Sequence, residues 1–146
     1  MQEAIIFDID GTLSDDTWRN HFIKKEKPEW DEYFSRCDTD PTIDIACDVC
    51  WGLMQIHHII FLTGRPEKYR TKTKNWIDSN SSFNNNYTLL MRPNGNTERS
   101  VEFKRKAYLE KIKDKYDIKA VFENKKSIAD MFKSYNIPVF LLINGK

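Results

Sequence analysis

The chain has 146 residues, 40% of them hydrophobic and 13% aromatic, which suits one domain with a substantial core. Lysine and arginine number 23 against 22 aspartates and glutamates, so binding to DNA by bulk charge alone is excluded, although a local basic patch is not. No apolar run approaches the roughly 18 residues of a membrane span, and the acidic start MQEAIIFDID lacks the basic and apolar parts of a leader, so a cytoplasmic protein is expected.

Residues 3–9, EAIIFDI, form an apolar, β-branched run that predicts a buried strand ending in acids. The polar stretch from Gly11 to Pro41 carries Trp18, Phe22, Trp30, Tyr33 and Phe34 among many charges. It is too long for a plain loop, so short helices or a hairpin are expected over an insert at 14–41. Apolar residues at helical spacing predict a helix over 42–56. HIIFL (58–62) predicts a second strand, followed by Thr63-Gly64-Arg65-Pro66 and a helix over 67–79. SNSSFNNN reads as a polar turn, YTLLM (87–91) as a third strand and RPNGN as another turn. A strongly amphipathic helix over 101–116, a strand at 119–122, a helix at 127–135 and a strand at 138–143 complete the order.

Strands alternate with helices and are apolar throughout, as a sheet covered on both faces requires. The expected fold is α/β: a doubly wound, Rossmann-like, mainly parallel five-stranded sheet, with one domain over 1–146. Ligands of such sheets sit beyond the carboxyl ends of the strands. Those ends carry Asp8 and Asp10, then Thr63 and Arg65, then Arg92 with Lys104 in the following helix, then Glu123 and Asn124. Carboxylates gathered with a hydroxyl and several cations suit phosphoryl transfer, where catalysis is positioning and charge neutralisation. An aspartate can be the nucleophile, a lysine and a magnesium ion can offset its charge against a phosphate, and a second carboxyl can serve as general acid and then activate water.

The order of these residues resembles the haloacid dehalogenase (HAD) superfamily. Asp8-Ile9-Asp10-Gly11-Thr12-Leu13 is similar to its first motif, Thr63-Gly64-Arg65 to its second, Lys104 to its third, and Glu123-Asn124 falls at its fourth. LTGRPEKYRTKTKNWI, LLMRPNGN, VEFK and AVFENKKSIADMFKSYNIPVF together resemble the phosphatase domain of phage polynucleotide kinase and its stand-alone relatives. The resemblance implies a magnesium-dependent phosphomonoesterase acting on a nucleotide or a nucleic-acid 3′-phosphate end, with a small insert in place of a large cap. It implies Asp8, Asp10, Thr63 and Lys104 as catalytic residues, Gly64, Arg65 and Arg92 as substrate contacts, and Asp8, Asp10 and either Asn124 or Glu123 as metal ligands. The chain departs from the family pattern at Asn124, where an aspartate is usual, and at Ser100, where relatives tend to carry an acid.

Other readings carry different expectations. A nucleoside 5′-monophosphate would fit an equally open cleft, and Asn124 would suit a HAD-like module that binds phosphate without turnover. A receiver-type signalling domain has the acids and the threonine in another order. Cys47-x-x-Cys50 reads as two thiols on the packed side of a helix, since no second ligand pair stands at zinc spacing. His21, His57 and His58 read as structural and Asp130 as an exposed helix residue. The insert's aromatics are expected to pack it onto the sheet, with a base-stacking role as the alternative. No protein partner is marked in the sequence.

Overall fold

The computed structural model describes residues 1–81 and 86–143. All five strands are parallel: β1 (Gln2–Phe7), β2 (His58–Pro66), β3 (Thr88–Arg92), β4 (Tyr116–Glu123) and β5 (Val139–Leu141), in spatial order β3-β2-β1-β4-β5. The chain winds outward from β1 through β2 to β3, then crosses back to β4 and β5. The winding reverses beside β1, and this opens a crevice at its carboxyl end.

Side chains alternate across the sheet, and both faces are buried. Ile5, Phe7, Ile59 and Phe61 enter one apolar cluster with Cys47, Cys50 and Trp51 of α2 (Asp44–Leu53) and Trp76 and Ile77 of α3 (Arg70–Asn80). Ala4, Ile6, Ile60 and Leu62 enter another with Phe103 and Ala107 of α4 (Ser100–Ala107) and Ile128, Met131 and Phe132 of α5 (Lys126–Lys133). The buried parts of the central strands β1 and β2 therefore read as continuous apolar runs. All three cysteines are free and buried. Among the described residues, no helix is long and apolar enough to cross a membrane.

The insert folds as short helices without a hairpin: a 3₁₀ turn at Thr17–Phe22, helix α1 (Trp30–Ser35) and a 3₁₀ turn at Cys37–Thr39. Its two ends close on one another, with Asp15 N donating to Pro41 O at 2.8 Å and Ile43 N to Leu13 O at 2.7 Å. Cys37 and Phe34 pack into the α2–α3 cluster, and Trp76 Nε1 donates to Asp40 O at 2.8 Å. The insert is thus seated over the α2–α3 face of the sheet.

Several boundaries differ from the sequence reading. Strand β2 continues past Leu62 to Pro66, because Pro66 pairs with Arg92 after an irregularity at Thr63. Helix α4 passes into a π turn at Tyr108–Ile112, and β4 already begins at Tyr116, where Gln2 pairs with it. The expected turn at SNSSFNNN lies partly outside the described residues, at 82–85.

Candidate active site

A loop after β1 carries the first group of site residues. The amides of Thr12, Leu13 and Ser14 all donate to Ile9 O, and Gly11 turns the chain with φ 81°. Only glycine fits there, since an added Cβ would collide with the Asn124 amide. Asp8, just past the strand, has its amide on Phe122 O at 3.0 Å.

Asp8, Lys104 and Glu123 form a buried triad. Lys104 Nζ donates to Asp8 Oδ1 at 2.7 Å and to Glu123 Oε2 at 2.9 Å, and Thr12 Oγ1 donates to Asp8 Oδ2 at 2.9 Å. Burial outweighed by its two carboxylate partners holds the lysine firmly protonated. Two carboxylates share one ammonium, which leaves one buried negative charge in excess. Burial, and then the Glu123 charge, push the Asp8 carboxyl up to about 7 against the pull of Lys104.

Asp10 sits in the opposite environment. Arg65 reaches it through Nε at 3.0 Å and Nη2 at 2.8 Å, and Arg19 Nη2 lies 2.5 Å from Oδ1. Burial alone would raise this carboxyl, but Arg65 and then Arg19 outweigh it and hold it well below the usual carboxylate range. Arg19 also donates to Asp40 through Nε at 2.7 Å and Nη2 at 2.5 Å, and through Nη1 to Tyr33 O at 3.1 Å. Its guanidinium lies 4.2 Å from the centre of the Tyr33 ring.

The sequence reading did not find Arg19, Asp40 or Thr12. Arg19 and Asp40 stand in a charged insert, where nothing in the local pattern separates a buried ion pair from solvated charges. Thr12 belongs to the quoted motif, but its hydroxyl contact with Asp8 follows only from the loop's fold.

Arg65 and Arg92 were expected as substrate contacts, and the structure engages both guanidiniums within the protein. Because β2 runs on to Pro66, Arg65 is a strand residue with 0% exposure, lying beneath the insert and bonded to Asp10 and Thr73. Arg92 lines the cleft, yet its guanidinium is spent on the 93–100 segment. It donates to Gly64 O at 3.0 Å, Asn96 Oδ1 at 2.9 Å and Glu98 O at 2.7 Å. Thr63 is fully buried, and its hydroxyl accepts from Arg65 N at 3.2 Å. Gly64 lines the cleft.

Both Glu123 oxygens are occupied. Oε2 takes Lys104, and Oε1 accepts from the amides of Asn124 at 2.9 Å and Lys125 at 3.2 Å. The Asn124 amide satisfies its neighbours when its nitrogen faces them, 3.0 Å from Asp8 Oδ2 and 3.0 Å from Glu123 Oε1. Among the described residues, no cluster of three or more acids, histidines or cysteines is arranged to hold a metal.

Asp8, Asp10, Lys104 and Glu123 floor a cavity of about 740 Å³. The insert supplies one wall through Ile23, Trp30, Tyr33 and Phe34, and residues 94–100 supply another.

The profile of the polynucleotide kinase PNKP phosphatase domain matches residues 2–146. The chain belongs to that family. It is a phosphatase with a HAD-type fold. A putative bifunctional polynucleotide kinase/RNA ligase of Autographa californica nuclear polyhedrosis virus is 28% identical over 135 residues, covering 92% of this chain and 18% of that protein. Among solved structures, a chain of the Pnkp1/Rnl/Hen1 complex superposes with a TM-score of 0.80 at 25% identity, over 100% of this chain and 47% of that one. The class C acid phosphatase of Bacillus anthracis, with tungstate bound, shares the fold with a TM-score of 0.69 at 14% identity, over 99% of this chain and 67% of that one. The chain thus spans less than a fifth of its viral relative and about half of the chain from the complex.

The raised Asp8 carboxyl has a consequence for stability. Its value of about 7 in the folded protein exceeds the 3.8 of a free carboxyl, so folding favours the protonated form. The associated stability is complete below about pH 4 and is lost as pH rises through 7. Asp8→Asn removes the excess charge and leaves Lys104 paired with Glu123. In chelator, its stability relative to wild type should increase by roughly 2 kcal/mol between pH 5.5 and 8.5. Denaturant melts at the two pH values check this, and an unchanged difference contradicts it.

Proposed function

We propose that this phosphatase hydrolyses a 3′-phosphate at a nucleic-acid end, with Asp8 as the nucleophile, and that residues 1–146 act as one catalytic domain. The observation that carries the reading is the buried triad. Asp8 stands at the switch point of the sheet with Lys104 fixed 2.7 Å away and its other oxygen held by Thr12. An attacking carboxylate there is pre-aimed, and the lysine offsets its charge as a phosphate approaches. The family and the viral relative support a polynucleotide substrate. An open cavity bounded by a small insert supports a chain end over a metabolite that must be enclosed. Three free, buried cysteines support a reducing, cytoplasmic setting.

Magnesium fits the donor set: hard oxygens only, beside one uncompensated negative charge. Asp8, the Asp10 carbonyl and the Asn124 side-chain oxygen would hold it, with the amide turned over from its present orientation. When bound, it would neutralise charge on the phosphate and on Asp8. Glu123, with both oxygens engaged, is assigned to holding Lys104.

Asp8 attacks phosphorus, the P–O bond to the sugar breaks, and an aspartyl phosphate forms. As that bond breaks, Asp10, turned out of the arginine grip and carrying a proton taken from solvent, gives the proton to the leaving sugar oxygen. The resulting carboxylate then takes a proton from the water that attacks phosphorus, which releases phosphate and frees Asp8.

The substrate assignment is tested by kcat/KM on a short 3′-phosphorylated oligonucleotide, a 3′-mononucleotide and a 5′-mononucleotide, side by side with magnesium. The oligonucleotide should exceed the 5′-mononucleotide by at least about tenfold. Preference for the 5′-mononucleotide would overturn the 3′ reading. Magnesium dependence tests the ligand assignment separately. Asn124→Asp restores a charge and should lower the half-saturating magnesium concentration by roughly three- to tenfold. If it changes nothing while Glu123→Gln abolishes the response, Glu123 is the ligand.

A further inference from the structure

We propose that Arg99 and Lys125 form a subsite for the phosphodiester preceding the terminal phosphate, facing an aromatic wall at Trp30 that receives the terminal base. This rests on the polynucleotide reading above and adds what makes a chain end a better ligand than a mononucleotide.

The cleft lies between elements from opposite faces of the sheet. The insert packs with α2 and α3, and Phe34 joins their cluster. Arg99 immediately precedes α4, and Lys125 immediately precedes α5, on the other face. Residues from both sides line the same cavity as Asp8.

Charge singles out these two cations. The other lysines and arginines of the cavity are engaged: Lys104 by Asp8 and Glu123, Lys68 by Asp31 at 2.7 Å, and Arg92 by the segment it braces. The acids Asp31 and Glu98 are engaged in turn, Glu98 by Lys106 at 2.6 Å. Arg99 and Lys125 are exposed, and among the described residues their side chains have no ion-pair or hydrogen-bond partner. Two unpaired cations within reach of one anion-binding floor are placed to take a second phosphate.

The opposite wall has the complementary property. Trp30 is 52% exposed, an unusual loss for so large an apolar ring, and stacks on Phe34 with centroids 5.9 Å apart and an interplanar angle of 21°. Phe34 is in turn packed on Tyr69, so the platform is backed by the core. A rigid, half-exposed indole offers a π face to any base, giving affinity without sequence preference. With the terminal phosphate at Asp8, a base on one wall and the next phosphate on the other would engage a single nucleotide unit from two sides.

The test is equilibrium binding to the Asp8→Asn protein, which does not require turnover. The probes are 3′-phosphorylated dithymidylate and thymidine 3′-monophosphate, in magnesium at low salt. The dinucleotide should bind about tenfold more tightly. In the same background, Arg99→Ala with Lys125→Ala should bring the ratio close to one. Lys113→Ala with Lys133→Ala, the same charge loss outside the cleft, should leave the ratio in place. Trp30→Ala should weaken both ligands by about tenfold. Equal binding of the two probes, a ratio that survives Arg99→Ala/Lys125→Ala, or an equal loss in the distal lysine variant would overturn the subsite. If the ratio behaves as expected while wild-type protein hydrolyses no 3′-phosphate, the subsite stands and the 3′-phosphatase reading fails.

Discussion

Two buried guanidiniums, Arg19 and Arg65, converge on the single carboxylate of Asp10, and the shape of the cleft depends on that contact. Arg65 comes from β2 and Arg19 from the insert, so Asp10 ties the sheet to the wall above it. Asp40, near the end of the insert, closes the network through Arg19. Removing one partner of such a set leaves the others buried and uncompensated, at a cost of about 3–5 kcal/mol. The insert is therefore held as a wall by the same charges that set the state of the second site aspartate.

The network also separates two carboxyls only two residues apart. Asp8 shares one lysine with Glu123 and is pushed upward; Asp10 has two arginines and is pushed downward. Opposed environments of this kind are how neighbouring acids come to perform different chemical tasks. The excess negative charge around Asp8 makes that position receptive to a cation. The two positive charges around Asp10 keep it ionised.

The centre of the sheet was legible because β1 and β2 are buried on both faces and so spell apolar runs, as IIF in β1 and IIFL in β2 do. The strand-end residues followed from the same pattern: Asp8, Lys104 and Glu123, far apart in sequence, do meet. Arg65 and Arg92 could not be placed this way. Whether an arginine faces solvent or a buried acid depends on how far its strand extends, and the pairing of Pro66 with Arg92 is a tertiary fact. The insert was least legible. Arg19 is buried by contacts with Asp10, Tyr33 and Asp40, none of which local periodicity reports.

Asn124 illustrates a different limit. Its identity is plain in the sequence, but its meaning comes from the Gly11 turn beneath it and the two carboxylates beside it. Those neighbours make the amide a donor in its present orientation and a candidate oxygen ligand once turned over.

The division of labour between the two aspartates is tested most directly by rapid-quench mass spectrometry on Asp10→Asn protein with p-nitrophenyl phosphate. This substrate's leaving group departs without a proton donor, so the first half of the reaction proceeds and the second lacks its base. A phosphoryl group accumulating on the peptide that contains Asp8, with a burst of nitrophenol and slow turnover after it, is the expected result. Release of nitrophenol with no phosphorylated peptide, or a phosphoryl group on a residue other than Asp8, would contradict it.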